Sequence, residues 1–262
     1  MKHFFLFSNA IESIALSAQS IRAKALFGLF FAVLMTGCAT GPTANPTDPL
    51  EPFNRKMFAV NEAVDGAVLK PVAQGYRAVT PSPIRAGVTN FFDNLEDLWS
   101  AVNGVLQLRP VVAADNFMRF GVNTAFGLGG VLDIASEMGI ERHSEDLGKT
   151  LGRWGMPAGP YLVMPLFGPS TLRDATTITA ENRIDPVSRI NHIPTRNSTT
   201  ALRIVDTRSN LLRLTDLLDE AALDKYSFTR DAYLQKRRAE IYRPGQSDAE
   251  DAPALKGTEP KK

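Results

Sequence analysis

The chain is poor in the residues that carry covalent chemistry. Cys38 is the only cysteine, and three histidines stand in 262 residues, which excludes an intramolecular disulfide and a thiolate-held metal cluster. His3 precedes the segment read below as a leader, so His143 and His192 are the imidazoles left, both in sequence that predicts loop. Ser144 follows His143 directly, and adjacency in the chain does not bring a hydroxyl into hydrogen-bonding geometry with its neighbour's ring. No G-x-S-x-G elbow and no H-E-x-x-H helix is present. The cluster Gly127-Leu-Gly-Gly130 lacks the GxxxxGK[ST] pattern and follows no strand signal, so it reads as a turn or close helix packing. Charge of one sign is lacking too: 29 basic and 28 acidic residues leave a net +1, so no global field steers the protein to nucleic acid or to anionic surfaces. Together these absences put an enzyme in the minority and imply neither a cofactor nor a metal.

What is present begins with Arg22 and Lys24, which stand before the apolar run Ala25 to Gly37. A positive n-region, a short apolar h-region and a small-residue site read as a secretory signal over 1–37, because the run is too short for a comfortable membrane span. A signal this far from Met1 implies a long n-region or a start further downstream. The ending Leu34-Met35-Thr36-Gly37-Cys38 resembles a lipobox, with Met35 where leucine is usual, and makes Cys38 the point of lipid attachment. At ~0.8 kcal/mol per buried CH₂, several acyl chains anchor a protein stably where one is marginal. The lipidated linker 38–49 is rich in Thr, Pro and Gly, and fully extended it reaches roughly 36 Å.

From Glu51, Phe53, Met57, Val60, Val64 and Val68 recur at steps of three and four, which predicts one helix face up to Pro71. A second helix starts at the Thr80-Pro-Ser-Pro83 turn with Ile84, Val88, Phe91 and Leu95 on one side and a break near Asp93-Asn94. Leu98, Trp99, Val102, Val105 and Leu106 continue the period to Pro110, and a further helix to about Phe126 carries Phe117, Phe120 and Thr124 inward or towards lipid. Short helices are predicted over Leu132 to Met138 and Glu145 to Leu151, where Glu145 and Asp146 suit the positive N-terminal end. The run Ala175 to Asn197 is polar, broken by Pro186 and Pro194, and reads as a joint between two lobes. Ser198 to Leu218 predicts a helix capped by Ser198, with Leu202, Val205, Ser209 and Leu212 on one face. Phe228 to Tyr242 predicts another, basic through Arg230, Lys236, Arg237 and Arg238, with Arg243 following. That face is either solvated or set against phosphate headgroups or an acidic partner. The tail 244–262 is polar and predicted to be disordered.

The stretch Trp154 to Asp174, WGMPAGPYLVMPLFGPSTLRD, is too broken by proline and glycine for a helix and too apolar for an exposed loop. It predicts irregular backbone held against something apolar, or a buried connection between helices. With LEPFNRKMF (Leu50 to Phe58), RFGVNT (Arg119 to Thr124) and EDLGKTLGRWG (Glu145 to Gly155), it resembles the MlaA/VacJ family of Gram-negative outer-membrane lipoproteins. The resemblance covers about Asp48 to Tyr242.

The resemblance implies an all-α single domain over 50–243, amphipathic helices forming a ring in the outer membrane with irregular Pro/Gly-rich segments. It also implies removal of mislocalised phospholipid from the outer leaflet, a trimeric porin as partner, and a soluble periplasmic carrier as recipient. Ala39 and Thr40 after the lipidated cysteine carry no inner-membrane retention aspartate, consistent with outer-membrane sorting. The resemblance further implies a central polar passage, which must solvate a polar head while the tails stay in lipid or protein. Tyr161, Arg173 and Asp174 are the residues assigned to it, with Asn54 and Arg55 as further candidates. Arg173 could meet a phosphate bidentately or form a structural pair with Asp174. A lipid hydrolase and a purely structural porin-binding lipoprotein are the alternatives.

Overall fold

The computed structural model describes residues 48–242. The signal segment, Cys38, most of its linker and the tail from 243 therefore lie outside the described residues. The chain groups into two units, 1–53 and 54–262. Of the first, the described part is the turn at Asp48 and the opening of helix α1 (Glu51–Val64). The second holds the rest and is mainly helical.

Pro71 does not end the first helix. A π-helical turn, Asp65–Leu69, joins α1 to α2 (Lys70–Val79), and the Lys70 amide donates to the carbonyl of Asp65, five residues back. The widened turn shifts the hydrogen-bond register just before the proline, so its missing N–H and its ring are absorbed without a break. Nor does α3 (Ser82–Leu106) break at Asp93-Asn94. Those polar side chains have partners that compensate for their poor helix propensity: Asn94 donates to Thr124 Oγ1 at 3.0 Å, and Asp93 pairs with Arg142 at 2.7 Å. Helix α4 (Pro110–Ala125) returns antiparallel along α3 after a turn in which Leu108 is left-handed.

The short helices α5 (Ile134–Glu137) and α6 (Leu147–Arg153) each start two residues later than expected, because Asp133 and Asp146 serve as their N-caps. The central stretch is not irregular throughout. It contains an antiparallel hairpin, β1 (Tyr161–Met164) with β2 (Gly168–Thr171), in the register Tyr161↔Thr171 and Met164↔Gly168. Pro169 is tolerated because Val163 opposite spends its N–H elsewhere, on Asn54 Oδ1 at 2.8 Å.

The presumed joint after Asp174 is largely helix: α7 (Leu172–Ile184), capped by Thr171, then a 3₁₀ turn at Val187–Arg189. Helix α8 (Ile193–Ala221) begins before Ser198, capped by His192, with Pro194 in its first turn where proline is favoured. Helix α9 (Lys225–Ile241) is capped by Asp224. Within the second unit α2 and α3 both pack on α8, α7 and α9 pack on the hairpin, and α6 packs on α7 and α9. A small aromatic core of Tyr161, Val163 and Tyr226, with Met57, Phe58, Tyr233 and Leu234 against it, seats the hairpin.

Candidate functional site

The burial of the helices is inverted. On α3, Asn94, Asp97, Ser100 and Asn103 are buried, and on α4 Asn116, Arg119 and Asn123, each set spaced by three or four so that it forms one helix face. Phe117, Met118, Val105 and Val111 on the same two helices are exposed. Helix α8 repeats the arrangement, with Asp206 and Ser209 buried and Ile204, Leu211, Leu214 and Leu217 outward. The apolar residues that are buried in these helices are Phe92 and Ala101 of α3, Val112, Ala113 and Val122 of α4, and Leu212 of α8. Of the two directions open to the Phe117 face, inward or towards lipid, the structure turns Phe117 and Thr124 outward, while on the Ile84 face Ile84 is exposed and Val88, Phe91 and Leu95 are half-buried. Isolated exposed leucines need no explanation, but apolar faces on several helices around a polar interior do. Each non-glycine residue with left-handed backbone among the described residues is also an exposed leucine: Leu108, Leu128 and Leu166.

The polar interior is organised as two ionic clusters. In the first, Arg119 is buried and donates to Asp97, to both oxygens of Asp133 at 3.0 Å, to Ser136 and to the carbonyl of Ile140. Arg142 closes the cluster onto Asp93, Glu96 and Asp97. Burial pushes Asp97 and Asp93 up despite these arginines. Asp133 goes the other way: hydrogen bonds from Ser136, Asn123 and Arg119 outweigh its burial and bring it to about 2.

The second cluster contains two of the sequence-assigned residues. Arg173 Nε donates to Asp174 Oδ1 at 3.0 Å and Nη1 to the carbonyl of Met156 at 3.2 Å. The other carboxylate oxygen of Asp174 accepts from Tyr233 at 2.8 Å and from Arg237 Nε at 3.0 Å. Arg237 then grips Asp146 with both terminal nitrogens, at 2.6 and 3.0 Å, and Asp146 caps α6 through the Lys149 amide. Burial opposes ionisation of both aspartates, yet Arg237 holds each below the usual carboxylate range. Burial and Asp174 drive the Tyr233 phenol up.

Two glycines of the EDLGKTLGRWG motif make room for this cluster. A Cβ on Gly148 would strike Asp174 and Arg237, and one on Gly152 would come within 2.7 Å of Arg173 Nη1. Arg237 is thus an interior residue, only 13% exposed at its side chain, which corrects its assignment to a solvated or headgroup-facing stripe. Lys236 at 75% remains outward.

Tyr161 is buried beside the second cluster, its ring 6.2 Å from that of Tyr233. Asn54 is joined to it: its amide donates to the Tyr161 carbonyl at 3.0 Å and accepts from Val163. Two helical turns on, Asn61 does the same for Met164 and Leu166, so α1 supplies the hydrogen bonds that the free edge of β1 lacks. Arg55 points elsewhere, bidentate to Asp224 and stacked 4.4 Å from the Tyr226 ring. The Ser144–His143 pair resolves into separate contacts, Ser144 to Glu96 and His143 to Asp115.

Sequence reasoning missed a polar cleft of about 430 Å³ beside the second cluster. Leu98, Trp99 and Val102 of α3 form its apolar wall, and Glu145, Asp146, Glu181 and Arg203 supply charge. Glu181 accepts from the Leu147 amide, and burial raises its pKa. The signal was weak because the segment carrying Glu181 shows no apolar period. No helix among the described residues is long and apolar enough to cross a membrane.

A family model described as MlaA lipoprotein matches residues 46–240. An uncharacterised protein of Rickettsia bellii is 35% identical over 198 residues, covering 75% of this chain and 78% of its own. The intermembrane phospholipid transport system lipoprotein MlaA of Escherichia coli K12 is 35% identical over 209 residues, covering 78% of this chain and 82% of its own. A solved structure, described as the structural basis for maintenance of bacterial outer membrane lipid asymmetry, superposes with a TM-score of 0.66 at 34% identity. It covers 74% of this chain and 99% of the solved one. The match of the family model over most of the chain and relatives at 35% identity show that the chain belongs to the MlaA lipoprotein family.

Proposed function

We propose that the protein removes mislocalised phospholipids from the outer leaflet of the outer membrane and passes them to a soluble periplasmic carrier, maintaining lipid asymmetry. The observation that carries this is the inverted burial, with Asn94, Asp97, Asn116 and Arg119 inside and Phe117, Met118, Leu211 and Leu214 outside. Outward apolar faces suit acyl chains as solvent, and an interior of satisfied polar groups can solvate a lipid head where hydrocarbon cannot. Left-handed backbone at exposed leucines is unfavourable in water on both counts, and lipid contact removes one of them. The relatives' printed roles, intermembrane phospholipid transport and outer membrane lipid asymmetry, support the same reading.

In this reading Cys38 carries the lipid anchor on the periplasmic side, a trimeric porin is the membrane partner, and no covalent step on the lipid is needed. Tyr161, Arg173 and Asp174, with Asn54 and the polar cleft, border the lipid passage, while Arg55 supports α9 through Asp224. The test is the outer-leaflet phospholipid content of cells lacking the protein, which rises and falls again on complementation. Unchanged leaflet composition overturns the proposal. Photocrosslinking from positions 154–174 separates the alternatives, since adducts to porin alone, with none to phospholipid, indicate a structural lipoprotein. Cys38→Ala abolishes acyl labelling and releases the protein from the outer-membrane fraction.

A further inference from the structure

Between the first half of α3 and the start of α8 lies a second cleft, of about 760 Å³, whose walls are almost entirely carbon. Ile84, Val88 and Phe91 form one side, and Val187, Ile190 and Leu202 the other; Thr199 adds a single hydroxyl. Such a wall offers a peptide backbone almost none of the donors and acceptors it needs, whereas a hydrocarbon chain needs none. The cleft shares Leu95 and Pro186 with the polar cleft, so the two are neighbours along one surface.

The segment that supplies the second wall of the apolar cleft is basic. From 183 to 203 the chain carries Arg183, Arg189, Arg196 and Arg203 against the single acid Asp185. Arg189 falls between the lining residues Val187 and Ile190, and Arg196 and Arg203 flank the lining Thr199 at steps of three and four on one face of α8. Arg203 is paired with Asp185 at 3.0 Å, and its guanidinium carbon lies 5.6 Å from the Phe92 ring centroid. Arg189 and Arg196 form no ion pair among the described residues, in contrast to Arg119, Arg142 and Arg237 of the interior. Arg189 Nε donates to the Arg183 carbonyl at 3.2 Å, a neutral partner that leaves its charge unpaired. An apolar cleft beside guanidinium groups without ion pairs complements a molecule that joins a hydrocarbon chain to an anionic group, and guanidinium meets phosphate in bidentate geometry.

We propose that this cleft is a holding site for one glycerophospholipid, an acyl chain lying between α3 and α8 with its phosphate bound by Arg189 and Arg196. The proposal rests on the reading that the protein handles phospholipid, and it assigns that lipid a place outside the polar interior.

The experiment uses the full-length lipidated protein in detergent micelles with phosphatidylglycerol bearing a diazirine on one acyl chain, followed by peptide mapping of the adducts. Label is expected on 84–95 and 199–202. The double variant Arg189→Glu/Arg196→Glu lowers that label about tenfold, as loss of charge-assisted bonds to phosphate predicts. Leu202→Trp, which fills the cleft, abolishes label there and leaves label elsewhere. All variants are compared at unchanged melting temperature; the arginines are solvent-accessible, and Lys replacements serve as a second pair, expected to retain most of the label. Equal labelling by a diazirine fatty acid, unaffected by the arginine variants, overturns the phosphate assignment. Label spread equally over the cleft and the outward Phe117 and Met118 indicates annular lipid and overturns the site, leaving the transport reading intact. Absence of label anywhere in the wild-type protein counts against both.

Discussion

The two interior clusters are held together by the same residue types and differ in balance and in reach. Around Arg119 and Arg142 stand Asp93, Glu96, Asp97 and Asp133, an acid surplus, and the partners are separated by 14 to 49 residues. Around Arg173 and Arg237 stand Asp146 and Asp174, one carboxylate per guanidinium, and Arg237 reaches them across 91 and 63 residues. The number of donors each carboxyl receives decides its direction, so that Asp133, with Ser136, Asn123 and Arg119 on it, is lowered even in the surplus cluster. In the surplus cluster desolvation wins at Asp93 and Asp97, which are raised, whereas the paired Asp146 and Asp174 are lowered. Reach decides what each cluster organises. The first closes a hairpin of helices on itself, and the second ties α6, α7 and α9 to the same point, next to the polar cleft.

The comparison breaks most visibly at Arg119. Arg119→Met leaves Asp97, whose side chain is 2% exposed, and Asp133 with weakened compensation. Loss of one partner from such a buried network costs about 3–5 kcal/mol, read as a lower midpoint in urea unfolding. Arg237→Ala has a smaller effect, because Asp174 keeps Arg173 and Tyr233 and Asp146 keeps the Lys149 amide. About 2–3 kcal/mol is expected for removing a charged hydrogen-bond partner. A larger loss at Arg237 than at Arg119 would reverse the ranking and make the long-range cluster the main support of the fold.

Acid titration sharpens the contrast. Asp133 sits at about 2 in the folded protein against 3.8 ordinarily, so the stability it contributes is complete above about pH 4 and disappears as pH falls towards 2. That contribution is about 2 kcal/mol at 1.36 kcal/mol per unit, and Asp146 and Asp174 act with the same sign. Asp97 acts with the opposite sign: its folded state takes up a proton at higher pH than the unfolded chain, so its cost is relieved on acidification. Asp133→Asn therefore gives a flatter unfolding curve between pH 4 and 2, while Asp97→Asn removes a stabilising trend at higher pH. The smallest effect falls on the outward face of α9. Lys236→Glu with Arg238→Glu changes stability by about 0.5 kcal/mol or less; weakened membrane or porin association at unchanged melting temperature supports a surface contact, and unchanged association returns the face to solvent.

Several elements were legible in the sequence for a physical reason. The spacing of Ile84, Val88 and Phe91, or of Phe117, Phe120 and Thr124, reports helix whichever solvent the face meets, because periodicity measures segregation and not its direction. Glu145-Asp146 announced a helix start because negative charge and a carboxylate cap both belong there, and Asp146 takes the cap. Helix α7 was not legible, since its inward residues Arg173, Asp174 and Thr177 are polar and its outward side carries no sustained apolar stripe. The hairpin was hidden too, because the outer edge of β1 is satisfied by Asn54 and Asn61, more than a hundred residues earlier.

By itself, then, the sequence determined the helical character, the family motifs and the glycines at 148 and 152, because these follow from local spacing and from residue type. The tertiary structure alone decided which helix face looks inward. It also turned Arg237 from a surface cation into the partner of Asp146 and Asp174, and brought Glu181 and Arg203 to one cleft. Those outcomes depend on contacts between distant segments and on which groups lose water, and neither quantity is written in the local pattern of a chain.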